Sequence, residues 1–346
     1  MQTRGPRPPP KPAPLWWAVK HGHIEAVRAI MTRPETDPNT HDIWSETPLH
    51  LACKQGNAPI VRLLLAHTET NPNFLSGRRS VTPLLAAARA GNLEIIRVLL
   101  QRADVDPNIA SIGHGRTPLH YSAELGHQNV VKEFLKRADI VPDAGDYRGQ
   151  TPLILSAAEG HARVVKLLLE RNDVDPNTQD SKGQTALFAA ATSGHTRVLR
   201  LLLAKTGIDP NTADVYGYTP LLQATVKGQT EAVALLLGHN DTNPNSANHW
   251  LRSPLHIAAE TGHVAMVKTL LQRGDVQANA QDIYTQSPLS VAACRNHVDV
   301  VRLLLKHPDI DPNLEDSQGR TALARATTNK CEEVIRELAC LNVGED

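Results

Sequence analysis

The side chains best suited to chemistry in this sequence are its sixteen histidines. Histidine is the commonest metal ligand and a frequent general base at neutral pH. Most of these histidines recur at two fixed positions of a periodic pattern, either directly after a glycine or as the fourth residue of a Thr-Pro-Leu-His element. Equivalent positions of stacked helices lie about 8–10 Å apart, whereas each ligand of a zinc ion lies about 2 Å from it. The pattern therefore predicts hydrogen bonds that tie loops and neighbouring units together, and no metal site.

Two acidic segments, residues 104–108 and 309–313, resemble the start of a calcium-binding loop. Such a loop needs a bidentate glutamate at its twelfth position, which holds Gly115 in one segment and Arg320 in the other. Both segments are therefore interpreted as turns. The sequence also contains no Gly-x-Ser-x-Gly elbow, His-Glu-x-x-His helix or phosphate-binding loop. We expect no catalytic residue, no cofactor and no enzymatic activity.

Leucine recurs at a nearly constant interval along the chain. The gaps are 34 or 35 residues, between Leu15, Leu49, Leu84, Leu119, Leu153, Leu187, Leu221, Leu255, Leu289 and Leu323. Self-similarity at such a period is the signature of a repeat array. Any functional residue must therefore be positioned by the elements of one repeating unit.

One unit, residues 151–184, shows what those elements are. Thr151 offers a helix N-cap oxygen, and Pro152 suits the first helical position. Gly160 ends this short first helix, because glycine adopts a left-handed conformation without a Cβ clash. An apolar stripe over residues 164–169 predicts a second helix, which the Asp-Pro-Asn segment at residues 175–177 stops. Each unit is therefore predicted to be helix, tight turn, helix and projecting loop.

These residues closely resemble the ankyrin repeat. Thr47-Pro48-Leu49-His50 and Thr117-Pro118-Leu119-His120 match its opening element, Ser253-Pro254-Leu255-His256 differs by one residue, and pairs such as Gly22-His23 and Gly160-His161 match its inter-helix element. The resemblance covers residues 13–343 as ten copies that start near 13, 47, 82, 117, 151, 185, 219, 253, 287 and 321. It implies an all-α solenoid of helix-turn-helix repeats with projecting β-hairpin-like loops. The Asp-Pro-Asn variant resembles ankyrin arrays common in filamentous fungi.

Composition narrows the classes of partner and compartment. The chain has 36 basic and 36 acidic side chains, and a balanced charge gives no long-range attraction for nucleic acid or an anionic membrane. Four cysteines without framework spacing are typical of reduced thiols in the cytoplasm or nucleus, and the proline-rich start lacks the apolar segment of a secretory signal. We expect an intracellular monomer.

Residues 1–12 form a separate proline-rich segment. We interpret it as a disordered or polyproline-II tail. Pro6, Pro9 and Lys11 fit a ligand pattern for SH3-type grooves, but the favoured interpretation is a solubilising tail.

Copy-to-copy variation points to a binding surface, because positions that recur hold the fold and exposed positions that vary are free to bind. In the ankyrin family the variable positions are the loop tips and the exposed end of the first helix, which form a concave surface. The four tryptophans, five tyrosines and three phenylalanines make twelve aromatic residues, and seven of the twelve lie in these loops. Trp, Tyr and Arg are also enriched at interface hot spots. The candidate partner-binding residues are Trp44, Arg78, Arg79, Arg116, Tyr147, Arg148, Tyr216, Tyr218, Trp250, Arg252 and Tyr284.

The loop tips also break a local rule. Most tips carry a glycine, but Ser45, Ser80, Leu251 and Thr285 take its place in four loops, and broken turn rules suggest function or strain. The leading hypothesis is a non-catalytic scaffold that binds a protein partner on the concave loop-tip and helix-one surface. The alternatives are an enzyme or enzyme accessory that binds a small molecule in the concavity, for example in a fungal biosynthetic pathway, and an architectural array whose rings pack sideways on neighbouring loops.

Overall fold

A computed structural model describes residues 14–77 and 80–340 of the chain. Over those ranges it contains twenty short α-helices and no β-strand, which confirms the predicted all-α fold. Among the described residues, Ser76 and Val81 form one isolated antiparallel β-bridge. The predicted tail at residues 1–12 and the candidate arginines Arg78 and Arg79 lie outside the described residues.

The chain divides into two compact units, residues 1–156 with 170–174 and residues 157–169 with 175–346. The first unit contains α1 (Pro14–Lys20), α2 (Ile24–Met31), α3 (Pro48–Gln55), α4 (Ala58–Leu65), α5 (Pro83–Ala90), α6 (Leu93–Leu100), α7 (Pro118–Glu124), α8 (Gln128–Phe134) and most of α9 (Pro152–Ala158). The second contains α10 (Ala162–Leu169), α11 (Ala186–Ser193), α12 (Thr196–Leu203), α13 (Pro220–Val226), α14 (Thr230–Leu237), α15 (Pro254–Glu260), α16 (Val264–Leu271), α17 (Pro288–Cys294), α18 (Val298–Leu305), α19 (Ala322–Thr328) and α20 (Glu332–Ala339).

Within each unit, the first helix of a repeat packs on the first helix of the next repeat, and the second helix packs on the next second helix. In the second unit α11 contacts α13 and α12 contacts α14, and the same order continues to α19 and α20. Helices of seven or eight residues are too short to be stable alone in water. Their stability therefore comes from buried side chains such as Leu187, Leu221 and Leu255, each at most 1% exposed.

The helix ends follow the predicted cap chemistry. Thr82 Oγ1 accepts a hydrogen bond from the backbone N–H of Leu85 at 3.1 Å, and Gly91 closes the same helix at φ 68°. Asn296 and Lys330 occupy the corresponding inter-helix position at φ 60° and 58°. Asparagine adopts this left-handed region readily, whereas lysine is strained there, so the last repeat retains the turn at a cost in stability.

The histidines have the predicted structural role. In the Thr-Pro-Leu-His element His50 Nδ1 lies 2.7 Å from Thr47 Oγ1, and its Nε2 lies 2.8 Å from the carbonyl oxygen of Val81 in the next loop. Two histidines after inter-helix glycines bridge in the other direction, since His195 Nε2 lies 3.0 Å from the carbonyl oxygen of Ala158 and His127 Nε2 lies 3.4 Å from that of Arg89. His263 instead contacts Thr261 of its own repeat, with 2.6 Å between Nδ1 and Oγ1. Both sets tie neighbouring repeats together.

The Asp-Pro-Asn segment does more than the turn that the sequence predicts. Asn211 Nδ2 donates to the carbonyl oxygen of Asp241 at 2.6 Å, and Asn211 Oδ1 accepts from the backbone N–H of Asn243 at 2.8 Å. Asn39, Asn73, Asn108, Asn177 and Asn245 make the same pair of bonds to the following repeat. The asparagine therefore satisfies backbone groups that no helix or sheet would pair.

Candidate partner-binding surface

An aspartate or asparagine at the start of seven projecting loops holds the loop in shape, whereas Ser76 and Ser111 start two others. Asp214 Oδ1 accepts hydrogen bonds from the backbone N–H groups of Tyr216 and Tyr218, both at 2.9 Å. The backbone N–H of Asp214 in turn donates to the carbonyl oxygen of Tyr218 at 2.9 Å. Equivalent bonds to the side chain are made by Asp42, Asp146, Asp180, Asn248, Asp282 and Asp316. The carboxylate or amide oxygen thus shapes each loop from inside.

We call the residue two places after this aspartate or asparagine the tip slot. It is filled by Trp44, Arg148, Lys182, Tyr216, Trp250, Tyr284 and Gln318. Its backbone N–H is bound by the carboxylate or amide oxygen, so its side chain is free of any role in closing the loop. The slot therefore presents a variable side chain on a constant backbone.

The next residue of each loop has a left-handed backbone. Gly217 adopts φ 80°, while Leu251 and Thr285 adopt φ 57° and 55°. Positive φ is a genuine outlier for a bulky or β-branched side chain. The predicted strain at the missing tip glycines is thus present, and in these two loops it lies directly beside an aromatic ring.

Three consecutive loops of the second unit place an aromatic ring in the tip slot. Tyr216, Trp250 and Tyr284 are 57%, 45% and 54% exposed, and we refer to these three residues as the aromatic row. Backbone hydrogen bonds join their loops. The N–H of His249 donates to the carbonyl oxygen of Tyr216 at 3.2 Å, and the N–H of Ile283 donates to the carbonyl oxygen of Trp250 at 3.1 Å. The rings are therefore held in order on connected backbones.

Apolar side chains accompany the aromatic row. Val215, Leu251 and Ile283 are exposed and adjoin the three rings in sequence. Single exposed apolar residues are ordinary, but several of them beside exposed rings in successive loops are typical of an interaction surface. Backbone groups of these loops are already hydrogen-bonded, so the surface offers apolar contact and few free backbone donors.

The other aromatic candidates have additional roles. Tyr218 is half-buried and its ring meets that of Trp250 edge-on at a centroid distance of 6.4 Å, so it supports the aromatic row from below. Tyr147 is exposed, yet its ring lies over Gly115, where an added Cβ would clash with Tyr147 Cδ1. Trp44 is 67% exposed in the first unit.

Two arginine candidates are engaged inside the protein. Arg116 Nη1 lies 2.7 Å from Glu124 Oε2 and Arg116 Nε lies 2.9 Å from Asp146 Oδ2. Burial disfavours the charge of Arg116, but the hydrogen bonds with Asp146 and Glu124 outweigh burial and raise its pKa. Arg252 repeats the arrangement with Glu260 and Asp282, at 2.6 Å and 3.5 Å. These two side chains order their loops, whereas Arg148 is exposed.

The exposed ends of the first helices also make contacts between repeats. The guanidinium carbon of Arg89 lies 5.2 Å from the centre of the Tyr121 ring, and Arg295 Nη2 lies 2.8 Å from Glu260 Oε1. Gln55 donates to the carbonyl oxygen of Lys20 at 2.9 Å. These predicted binding positions are therefore partly occupied by contacts within the protein.

Three grooves lie along the second helices. Two open between α6 and α8 and between α12 and α14, with volumes of 260 and 350 Å³. A third, of 320 Å³, is lined by α18 and the residues around His297. Within residues 14–77 and 80–340, no three His, Cys, Asp or Glu side chains are grouped to hold a metal ion. Nor does any helix of those ranges have the length and apolar character needed to cross a bilayer.

The family of this chain follows from its repeats. The family model of ankyrin repeats, which describes three copies, matches overlapping segments from residues 15–111 to residues 255–346. The chain therefore belongs to the ankyrin repeat family. Ankyrin repeats are in general modules for protein–protein interaction, and members of the family are typically not enzymes. None of the curated proteins matches the chain.

Sequence reasoning missed the aspartate that shapes each loop and the bridging asparagine. Both had a signal, because Asp146, Asp180 and Asp214 recur 34 residues apart, as do Asn177, Asn211 and Asn245. The same register would have placed Tyr216, Trp250 and Tyr284 in one slot and Tyr218 in another.

Proposed function

We propose that the protein is a non-catalytic scaffold that binds a protein partner on its loop-tip and helix-one surface. The observation that carries the proposal is the aromatic row, in which three consecutive loops expose a ring from the same slot. Tyrosine and tryptophan supply large rigid contact areas and are enriched among the residues that dominate binding energy.

The proposed contact residues follow from exposure and slot. Tyr216, Trp250 and Tyr284 are the centre of the surface, with Trp44, Tyr147 and Arg148 as further exposed tips. Tyr218, Arg116 and Arg252 support the geometry from inside. Arg78 and Arg79 belong to the proposal on sequence grounds alone. We further propose that the ten repeats span residues 13–343.

The proposed compartment is intracellular, cytoplasmic or nuclear. The four cysteines are free thiols, and burial raises the pKa of Cys331, which keeps that thiol protonated and unreactive. Cysteines without disulfide partners are typical of a reducing compartment.

The test is affinity capture from lysate of the source cells followed by mass spectrometry, with three forms of the full chain. We expect the triple variant Tyr216→Ala, Trp250→Ala, Tyr284→Ala to lose the proteins that wild type captures. Trp17→Ala removes an exposed ring outside the loops and is expected to capture like wild type. All three forms should unfold at similar temperatures, since the altered rings lie on exposed positions.

Equal capture by wild type and the triple variant would reject the proposed site. Capture of no specific protein by any form would reject the scaffold function and favour an architectural array.

A further inference from the structure

The second helices of the repeats share a pattern of charge. Their fifth residue is basic in nine of the ten described helices and is Ala234 in the other, and their second residue is acidic in five. The two positions meet across neighbouring repeats, because Arg62 Nη2 lies 2.7 Å from Glu94 Oε1 and Arg200 Nη2 lies 3.8 Å from Glu231 Oε1. The pattern therefore pairs opposite charges between successive second helices.

Helices α10 and α12 depart from this pattern. Their second residues are Arg163 and Arg197, and their fifth residues are Lys166 and Arg200. The two helices pack on each other, so Arg197 has the place relative to Lys166 that an acidic residue has in the paired repeats. Residues three apart on a helix are neighbours on one face, and all four side chains are exposed. We refer to these four residues as the basic face.

The charges of the basic face are poorly compensated within the protein. Among residues 14–77 and 80–340, neither Lys166 nor Arg197 has a carboxylate close enough for an ion pair. Like charges at neighbouring positions of a helix surface are destabilising. A local rule that other repeats obey and these two break points to function, and a bound anionic group would remove the repulsion.

An apolar groove adjoins the basic face. It lies between α12 and α14, has a volume of 350 Å³, and is lined by Arg200 together with Leu203 and Leu235. Ala234 and Gly238 of the α14 segment also line it. The groove is therefore open where the other second helices carry a long basic side chain.

The groove between α6 and α8 shows the opposite arrangement. There Glu133 Oε2 lies 3.1 Å from Arg97 Nε and 2.9 Å from Lys136 Nζ, and all three residues line the groove. That surface supplies its own carboxylate. On α10, α12 and α14 the carboxylate is lacking and the cleft is apolar, so a matching ligand brings both an acidic and an apolar group.

We propose that the basic face and the groove beside it bind an acidic segment of a partner protein. Its carboxylates lie against Lys166 and Arg197, and one apolar side chain lies between Leu203 and Leu235. A nucleic acid fits less well, because the positive charge ends at Glu231 and offers no continuous track for phosphates. This contact goes beyond the proposed function, since it uses second helices and not the loop tips.

The test measures the fluorescence anisotropy of labelled synthetic peptides mixed with the full chain. The acidic peptide consists of glutamates around one central leucine. One altered peptide has serine in place of the leucine, and another has glutamine in place of every glutamate. An oligonucleotide and phosphatidylserine vesicles are tested beside the peptides as the competing classes of ligand.

Two protein variants change the two parts of the site. Lys166→Gln with Arg197→Gln removes two charges of the basic face, and Ala234→Gln fills the groove without adding a charge. The matched control is Lys268→Gln with Lys306→Gln, which removes the same charge from exposed lysines of α16 and the end of α18.

We expect Lys166→Gln with Arg197→Gln to weaken binding of the acidic peptide about tenfold, because two ion pairs are lost. Ala234→Gln should weaken the leucine peptide and leave the serine peptide unchanged. The lysine control and the triple variant of the aromatic row should bind the acidic peptide like wild type. Thermal unfolding checks each form, and removal of two like charges should not lower the unfolding temperature.

Equal weakening by the lysine control would show that overall charge attracts the peptide, and it would overturn the inference. No binding up to about 1 mM peptide would do the same. Tighter binding of the oligonucleotide or the vesicles than of the acidic peptide would assign the basic face to another class of ligand and would also reject the proposal. None of these results bears on the capture experiment, which changes loop-tip residues alone.

Discussion

His50 Nε2 lies 2.8 Å from the carbonyl oxygen of Val81, thirty-one residues further along the chain. The same bond joins His120 to Gln150 at 3.1 Å and His256 to Gln286 at 2.9 Å. Each buried imidazole is a direct link from the start of one first helix to the loop that precedes the next. The fold therefore depends on three neutral histidines.

The first prediction is a loss of stability in mild acid. Burial lowers the pKa of His50 and of His120 from 6.5 to about 4, and burial also lowers the pKa of His256. The folded state then binds fewer protons than the unfolded state, so stability is complete above pH 6.5 and is lost as the pH falls towards 4. At pH 5 we expect a loss of about 2 kcal/mol for each of His50 and His120.

Urea unfolding at pH 7 and pH 5 measures this loss as a shift in the midpoint. Replacement of His50 by glutamine should reduce the pH dependence, whereas replacement of the exposed His21 should not. An unchanged midpoint between pH 7 and pH 5 would contradict the prediction.

The second prediction concerns the bridging asparagine. Asn211→Ala removes one bond donated to Asp241 and one accepted from Asn243, and each bond is worth about 1 kcal/mol. We expect the free energy of unfolding to fall by about 1–2 kcal/mol. Asn240, an exposed asparagine in the turn before the next segment, is the matched control for chemical denaturation, and a similar loss in Asn240→Ala would argue against the bridge.

The third prediction concerns the strained tips. Leu251→Gly should raise the free energy of unfolding by about 1 kcal/mol, because glycine adopts φ 57° without strain. The reverse change, Gly217→Ala, should destabilise, since the new Cβ would lie 2.9 Å from His249 Cδ2 and 3.0 Å from its backbone N. Thermal unfolding of both variants reports the sign, and a less stable Leu251→Gly protein would show that the leucine side chain packs productively.

The fourth prediction concerns the ion pairs of Arg116. The carboxylate of Asp146 is disfavoured by burial, but hydrogen bonds from Arg116, Arg148 and Gln150 together lower its pKa. Arg116→Gln should therefore destabilise the protein by about 1–3 kcal/mol and raise the pKa of Asp146. The Asp146 carboxylate contributes stability above the pKa that the carboxyl has in the unfolded chain. As acid is added, the variant would lose this contribution at a higher pH than wild type does.

NMR titration of the Asp146 carboxyl and denaturant unfolding provide the two readouts. Arg148→Gln changes an exposed side chain of the neighbouring loop and should alter stability by less than about 0.5 kcal/mol. Comparable losses in the two variants would indicate that the ion pairs of Arg116 are not stabilising.

The sequence predicted those features that depend on one repeat. The cap at Thr151, the left-handed Gly160 and the apolar stripe of the second helix are local, so a single unit contains their whole explanation. The bonds that His50, His120, His195 and His256 make between repeats were also predicted, because these histidines occupy fixed positions of the repeat.

Features that depend on the contact between repeats were predicted less well. Asn211 has its partners 30 and 32 residues away, and Arg116 has one of its carboxylates 30 residues away. A pattern of residue types does not show which residues of the next repeat these side chains contact. Arg116 and Arg252 were therefore grouped with the loop-tip binding residues, although their charges are used between loops.

The aromatic candidates show the same limit on a finer scale. Tyr216 and Tyr218 are two residues apart in one loop, yet the first is exposed and the second is half-buried beneath Trp250. Both backbone N–H groups donate to Asp214 Oδ1, and the pattern of residue types does not show which of the two rings faces solvent.

The bonds to Asp214 and its equivalents have an evolutionary consequence. They fix the tip backbone through N–H groups alone, so a codon change in the tip slot alters the surface without unfolding the loop. Tryptophan, tyrosine, arginine, lysine and glutamine already occupy that slot. New ligand preferences can therefore arise here by single steps that selection against misfolding does not remove.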